Sequence, residues 1–480
     1  MNRELDIRNP RSGEADYKIQ SPVDTELDHI AAELRKNQTE WASAGLEHRS
    51  AVIMSWVEDL LNPENSQFGE LLNALSTDTG RFLLSMIEIQ SIRNIVMGLV
   101  YTAPALMADS AERDSVTDGA GILGQRVPYQ LACVISPWNF PLLLSMIDAI
   151  PALMAGCAVI VKPSEVTPRF IQPLQESIDR HLQLAGVFRF IAGDATTGAA
   201  LVDRADVIAF TGSVATGRKV AEAAARNFIP ASLELGGKDP AIVLPSADME
   251  LAVRAILRSS VQATGQACQS LERIYVHKEQ IDDFVEALSK SADKVELNYP
   301  DIRQGHIGPL IFSRQADIIQ DHIDDALAKG ATIHCGGKIE THGGGQWIRP
   351  TVLTDVDHSM KVMREETFGP LIPVMAYDTV EQAIELANDT EYGLSAAVFG
   401  QDTDQAIAVA RKINAGAVGI NDAAVTVDVH DAAHDAFGYS GAGQSRMGPS
   451  GLTRFIREKA LIVRRNEAQG IESMDERLLP

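Results

Sequence analysis

The sequence predicts an α/β protein built on two sheets of mainly parallel strands, and three observations predict it. At 480 residues the chain exceeds what one hydrophobic core usually supports. From residue 130 onward, short β-branched runs alternate with segments of helical period: LACVIS, CAVIVKP, VFRFIAG and DVIAFTGS are each followed by a helix-like stretch. A second series of the same kind begins after LELGGKDPAIVL, too far along the chain to belong to the first sheet.

Taken in order, residues 24–107 read as helical, with apolar positions recurring at three and four in HRSAVIMSWVEDLL and FGELLNALSTDTG. Residues 108–129 turn polar and glycine-containing, which predicts an exposed hairpin. The four apolar runs with their helices then make a doubly wound, Rossmann-like half. In the second series MELAVRAILRSSVQATG is a helix, RIYVH a strand, IDDFVEALSKSADKV a helix, and AVFG and GAVGIND are later strands. The terminal FIREKALIVRR alternates well enough to be a strand that pairs elsewhere.

Charge narrows the possible partners. With 65 acidic against 42 basic side chains the net charge is −23, a field that repels nucleic acid and anionic membranes, so neither is expected. The four cysteines, Cys133, Cys157, Cys268 and Cys335, form no CxxC pair and no disulfide framework, so no metal site is expected and reduced thiols in a cytoplasm are. The first twenty residues lack a signal-peptide core, and no uninterrupted run of about 18 apolar residues occurs. A soluble, unexported chain is the expectation.

The stretch richest in chemistry is GQACQ, residues 265–269, where Cys268 follows a glycine turn at the end of a helical run. A thiol there can ionise and be reached. Read alone, such a cysteine is a small buried hydrophobe. In LELGGKDP, Glu234 stands between leucines, where desolvation would raise a carboxyl pKa toward the range of a general base; read alone it is a cap or surface acid. One β-α crossover separates the two, enough to bring both to one cleft. SPWNFP places Ser136, Trp138 and Asn139 after a strand, with Pro141 suited to a first helical turn. Asn139 is either a plain helix cap or an amide donor to an oxyanion. VIVKPSE puts Lys162 and Glu165 at the edge of a buried strand, where ligands bind in open α/β sheets. In FTGS, Gly212 and Ser213 open a helix whose free N–H groups suit a pyrophosphate. EETFGP, with Glu366 and Phe368, reads locally as an ordinary loop.

In this order PWNFP, KPSE, FTGS, LELGG, GQxC and ExFGP resemble the aldehyde dehydrogenase superfamily, over residues 130–459. The resemblance implies a Rossmann-like cofactor domain (1–107 and 129–235), an α/β catalytic domain (236–452), and a small strand flap for oligomerisation with a C-terminal tail (108–128 and 453–480). It implies a homodimer or homotetramer. It makes Cys268 the nucleophile, Asn139 with the Cys268 N–H the oxyanion hole, and Glu234 the base. Ser136, Trp138, Lys162, Glu165, Gly212, Ser213, Glu366 and Phe368 become contacts of NAD, with NADP possible. The implied reaction is oxidation of an aldehyde to an acid through a thioester that water hydrolyses. A CoA-acylating enzyme is the alternative, which Glu234 argues against, and a silent superfamily member is another.

Two segments depart from the pattern. GDATTG, residues 193–198, replaces a Gly-x-Gly stretch, and AFGYSGAGQSRMG, residues 436–448, lacks a glycine and a proline. On substrate, Leu144 and Ile147 are expected to face the pocket, and the ring-free loop 422–435 suggests a small or polar aldehyde, with His430 and His434 read as solvated.

Overall fold

The structure is a computed structural model, and it describes residues 3–429 and 431–476. In the first sheet the strands lie in the order Gly441–Ala442, Ala231–Glu234, Val207–Thr211, Leu131–Ile135, Ala158–Lys162, Phe188–Phe190. All neighbours are parallel except the two-residue strand at one edge. The chain moves outward from Leu131–Ile135 to Phe188–Phe190, then crosses back to the other side of Leu131–Ile135. That reversal is the topological switch point at which open α/β sheets bind ligands. It lies between the strands that end at Ile135 and Thr211.

The β-branched runs form these strands because both faces are covered. Every residue of Leu131–Ile135 and Ala158–Lys162 is buried, and each such aliphatic side chain is worth about 1.5–3 kcal/mol relative to exposure. Part of the cover comes from the predicted helical entry, helices Asp24–Ser43, Leu46–Leu60, Ser66–Thr79 and Phe82–Met107. Trp41 and Trp56 anchor it, their indole N–H groups donating to the Leu153 carbonyl and to Ser177 Oγ, each at 3.0 Å. Helix Phe82–Met107 is, among the described residues, the one long and apolar enough to cross a membrane. Its Ile89, Ile92, Val96 and Ala103 are fully buried in the first core.

The second sheet has seven strands, ordered Thr332–Cys335, Thr351–Thr354, Leu371–Tyr377, Leu271–His277, Asp239–Val243, Ser395–Phe399, Ala417–Ile420. Only the first of these runs antiparallel to its neighbour. The short link from Glu234 at the end of one sheet to Asp239 at the start of the other sets their relation. Carboxyl ends of the first sheet meet amino ends of the second. A third, antiparallel sheet joins Ser110–Asp114 and Ala120–Pro128 of the mid-chain hairpin to the terminal strand Ile456–Arg464. One element had no sequence signal: residues Arg3–Arg8 and Ala15–Ser21 form a hairpin.

Candidate active site

At the junction of the two sheets the loop carrying Cys268 is locked in an unusual conformation. Helix Met249–Val261 stops, and Ala263, Thr264 and Gly265 all take left-handed dihedrals, with φ of 55°, 61° and 68°. Two of these are not glycine, so the turn persists because its surroundings over-determine it. Thr264 Oγ1 donates to the Gly308 carbonyl at 2.8 Å, Gln266 Nε2 donates to that of Pro309 at 3.2 Å, and Gln266 Oε1 accepts from Ile311 N–H at 2.9 Å. A Cβ on Gly265 would fall 2.3 Å from the Gly369 carbonyl carbon, so only glycine lets this loop press on EETFGP. Cys268 is half-buried while the other three cysteines are buried. Burial pushes its thiol up to about 12; Arg446 opposes the rise, and Glu366, Asp239 and Glu234 add to it.

Asn139 and Glu234 both reach this loop. Asn139 is buried, and its Nδ2 donates to the Gln266 carbonyl at 3.0 Å, leaving a second N–H for another acceptor. Helix Leu143–Ala155 starts two residues beyond Pro141. Its first N–H groups are capped from a distant helix: Glu88 Oε2 accepts from Leu142 and Leu143 at 3.0 and 3.1 Å, while Arg81 donates to the Asn139 carbonyl. Glu88 is forced up to about 7 by burial, against the pull of Arg81. Glu234 is half-buried rather than enclosed by apolar groups, and its Oε1 accepts from the Arg446 N–H at 3.3 Å. A Cβ on Gly237 would stand 2.6 Å from the Cys268 carbonyl oxygen, which is why a Gly-Gly step follows Leu235. Cys268 and Glu234 line one cavity of about 1190 Å³, together with Leu84, Ile87, Leu144 and Ile147. The two predicted pocket residues of the helix after PWNFP are in that wall.

Among the residues expected to hold a dinucleotide, Ser136 and Gly212 directly follow the strands that flank the switch point, and Lys162 ends the neighbouring strand. Lys162 is buried, and its Nζ donates to Glu165 Oε2 at 3.1 Å. Ser213 caps helix Val214–Arg226, whose first turn is open to solvent, and Gly217 lets that helix close on Leu235, where a Cβ would fall 2.5 Å from Cδ2. Trp138 and Phe368 meet edge to face at 5.3 Å. Phe368 sits at φ 53°, a strained position for a bulky residue. Glu366 accepts from the Gly237 N–H at 3.2 Å, and burial, with Glu272 nearby, raises its carboxyl to about 8. The Ser136 hydroxyl and the Gly212 N–H are already engaged within the protein. The Ser136 hydroxyl is 2.7 Å from that of Ser145 and points into the protein, and the Gly212 N–H donates to the Glu234 carbonyl at 3.1 Å to close the sheet. A nucleotide would find the Ser213 cap and the open helix end instead. Thr197, in the divergent segment 193–198, adds a buried hydroxyl with no partner beside Gly198, whose Cβ would be 3.7 Å from Lys162 Cδ. These groups suit a phosphate-bearing ligand.

Several supporting residues were not legible beforehand. Glu272 accepts from the N–H groups of Thr367 and Phe368, both at 2.8 Å, and from buried Lys238 Nζ at 2.6 Å. This pair holds the EETFGP loop from beneath. The divergent segment also has a place: Gly441–Ala442 pairs antiparallel with Leu233 and Glu234, which carries Ser445, Arg446 and Met447 into the cavity wall. His434 lines the cavity as well, half-exposed, with Nδ1 2.9 Å from the Ala432 carbonyl. His430 lies outside the described residues.

A doubly wound nucleotide-type sheet, joined through the Glu-Leu-Gly-Gly link to a second sheet that carries an accessible thiol, fits a class: oxidoreductases that bind a dinucleotide against one sheet and substrate against the other. The comparisons give the family. The sequence model of the aldehyde dehydrogenase family matches residues 1–461. The solved structure of Anabaena variabilis "Putative Aldehyde Dehydrogenase PutA" is 49% identical, with a TM-score of 0.94 over 98% of this chain and 99% of that one. Betaine aldehyde dehydrogenase of Staphylococcus aureus, in complex with NAD+, is 30% identical with a TM-score of 0.89, covering 98% and 93%. The Mycobacterium ulcerans protein named "Putative succinate-semialdehyde dehydrogenase (NADP(+)) 2" is 34% identical over 451 residues, 92% of this chain and 86% of that one. The chain belongs to the aldehyde dehydrogenase family and is an oxidoreductase that oxidises aldehydes with NAD(P).

Proposed function

We propose that the chain converts an apolar aldehyde to its carboxylic acid through a thioester on Cys268, with water as the acyl acceptor. The observation that carries this is the placement of its one accessible thiol. Cys268 shares a cavity wall with Glu234, and the Asn139 amide is bonded two residues away on the same loop. In this reading the Cys268 thiol gives its proton to water, the thiolate sulfur attacks the aldehyde carbon, and the second N–H of Asn139 with the Cys268 N–H stabilises the oxyanion. A bound nicotinamide supplies the hydride acceptor. Lys162, Glu165, Ser213, Trp138, Glu366 and Phe368 would hold that cofactor. Glu234 then takes a proton from water, which releases the acid. A CoA thiol in place of water is the second reading.

We favour an apolar aldehyde over the small or polar one that the loop 422–435 suggests, on the aliphatic part of the cavity lining. Leu84, Ile87, Leu144, Ile147 and Leu257 form an aliphatic side of the cavity, while Glu88, Arg254, Gln262 and Gln269 line other parts of it. For the cofactor we favour NAD over NADP, because Glu165 already neutralises Lys162 and would meet an added phosphate with like charge. NADH or NADPH formation across straight-chain aldehydes tests both points. From three to eight carbons kcat/KM is expected to rise about tenfold or more, since each added methylene in an apolar pocket contributes about 1 kcal/mol. NAD is expected to exceed NADP about tenfold. A fall in kcat/KM with chain length, or equal use of the two cofactors, overturns the corresponding half.

The domain division given above is our reading of the three sheets: a cofactor unit of 1–107 and 129–235, a catalytic unit of 236–452, and an oligomerisation flap and tail of 108–128 and 453–480. Strand Ile456–Arg464 is an edge strand of the third sheet and exposes Leu461, Ile462 and Val463. Unpaired, apolar edges are templates for pairing with another chain. A homodimer or homotetramer in the cytoplasm is therefore proposed. Sedimentation velocity is expected to show the oligomer for the wild type and a smaller species for Ile462→Lys. A monomeric wild type overturns the proposal.

A further inference from the structure

The divergent segment brings a buried charge cluster to the catalytic wall that no sequence motif marked. Asp148, fully buried on helix Leu143–Ala155, accepts from two guanidinium groups: Arg446 at 3.0 Å on one oxygen and Arg454 on the other. Arg446 also donates to Thr211 Oγ1 at the end of a central strand, and its own backbone N–H donates to Glu234 Oε1 at 3.3 Å. Its side chain is about nine-tenths buried, its Nε has no hydrogen-bond partner, and it lines the cavity with Cys268 and Glu234.

Two guanidinium groups on one carboxylate leave a positive charge unbalanced in a site mostly shielded from water. Such a charge is costly unless something negative faces it. What faces it is the pair of groups that must be anionic in turn, the Cys268 sulfur during attack and the Glu234 carboxylate during hydrolysis. Of the charged groups that act most strongly on the thiol, Glu366, Asp239 and Glu234 are acids and Arg446 is a cation; Arg254, Arg258, His306 and His434 line the same cavity. Arg446 is anchored at two points: Thr211 and Asp148 both accept from its Nη2, and Glu234 accepts from its backbone N–H.

We propose that Arg446, held by Asp148 and Thr211, is a positioning residue that stabilises the Cys268 thiolate and fixes the Glu234 carboxylate by its backbone N–H. Asp148 tunes it by cancelling part of the charge. The inference rests on Cys268 as nucleophile. Removing the cation should make the thiolate harder to form, and removing only the Asp148 charge should make it easier. A merely structural role would move both variants in the same direction.

Alkylation of the free enzyme by iodoacetamide, with Cys268 modification followed by mass spectrometry between pH 6.5 and 10, reads the thiolate without turnover. At pH 8 Arg446→Gln is expected to be alkylated about tenfold more slowly than wild type, the scale of a lost neighbouring charge. Arg446→Lys should stay within about threefold of wild type, and Asp148→Asn should react faster. An unchanged rate in Arg446→Gln, or slowing in Asp148→Asn, overturns the proposal. Should Arg446→Gln fail to fold, the sign of the Asp148→Asn effect decides it alone. If wild-type enzyme alkylated at Cys268 kept its turnover, the nucleophile assignment would fall instead, an outcome separable from either rate.

Discussion

Cys268→Ala is expected to lower kcat for aldehyde oxidation by about four powers of ten or more while leaving NAD binding intact. The size follows from the chemistry: without the sulfur no covalent adduct forms, and the remaining groups only bind and orient. Binding should survive because Lys162, Glu165 and Ser213 belong to the first sheet and its loops, whereas Cys268 lies on a loop of the second. Alanine also fits the loop, since the residues that hold it are Thr264 and Gln266. Retention of a tenth of wild-type kcat, with NAD affinity measured by quenching of tryptophan fluorescence, would remove Cys268 from the mechanism. Cys133, Cys157 and Cys335 are no substitutes, being buried away from the cavity.

What the sequence disclosed and what it hid divide along the range of the interactions. The strands Leu131–Ile135, Ala158–Lys162 and Val207–Thr211 are continuous apolar runs, and their periodicity announces them. Cys268, Glu234 and Asn139 were legible because each sits in a short motif next to its own strand or turn. Pro141 was placed in the first helical turn because the capping acid is Glu88, 54 residues away, and nothing local reveals it. Ser136 and Gly212 were assigned to the cofactor on motif position. The Ser136 hydroxyl instead pairs with Ser145, and the Gly212 N–H with an adjacent strand, contacts that only the packed sheet and helix create. Lys238 lies in LELGGKDP and Glu272 directly before RIYVH, but they mean something only as a pair beneath EETFGP. Arg446 was invisible for the same reason: its partners Asp148, Thr211 and Glu234 come from three elements. The substrate was the least legible part, because the cavity wall combines side chains from several helices and loops that are far apart in the sequence.

Glu234→Gln should separate the two halves of the reaction. Glutamine keeps the size of the side chain and an oxygen to accept from the Arg446 N–H, so the wall of the site stays in place while the base is lost. Thioester formation does not require that base if Arg446 supports the thiolate, whereas hydrolysis requires a deprotonated water. Rapid mixing with NAD and aldehyde is expected to release one NADH per site in a burst, then a steady rate lowered by roughly 10²-fold or more, the usual scale for a missing general base. Mass spectrometry of the quenched enzyme should find the acyl group on Cys268. If the burst itself slows and no acyl-enzyme accumulates, Glu234 acts on the thiol rather than on water. Added CoA discriminates the remaining reading: if it restores turnover in wild type and variant alike, the acyl group leaves to a thiol and hydrolysis is not the natural second step. Hydrolysis stands if CoA changes neither rate, because the half-buried Glu234 carboxylate in the cavity wall is then the only assigned base whose loss stalls the thioester.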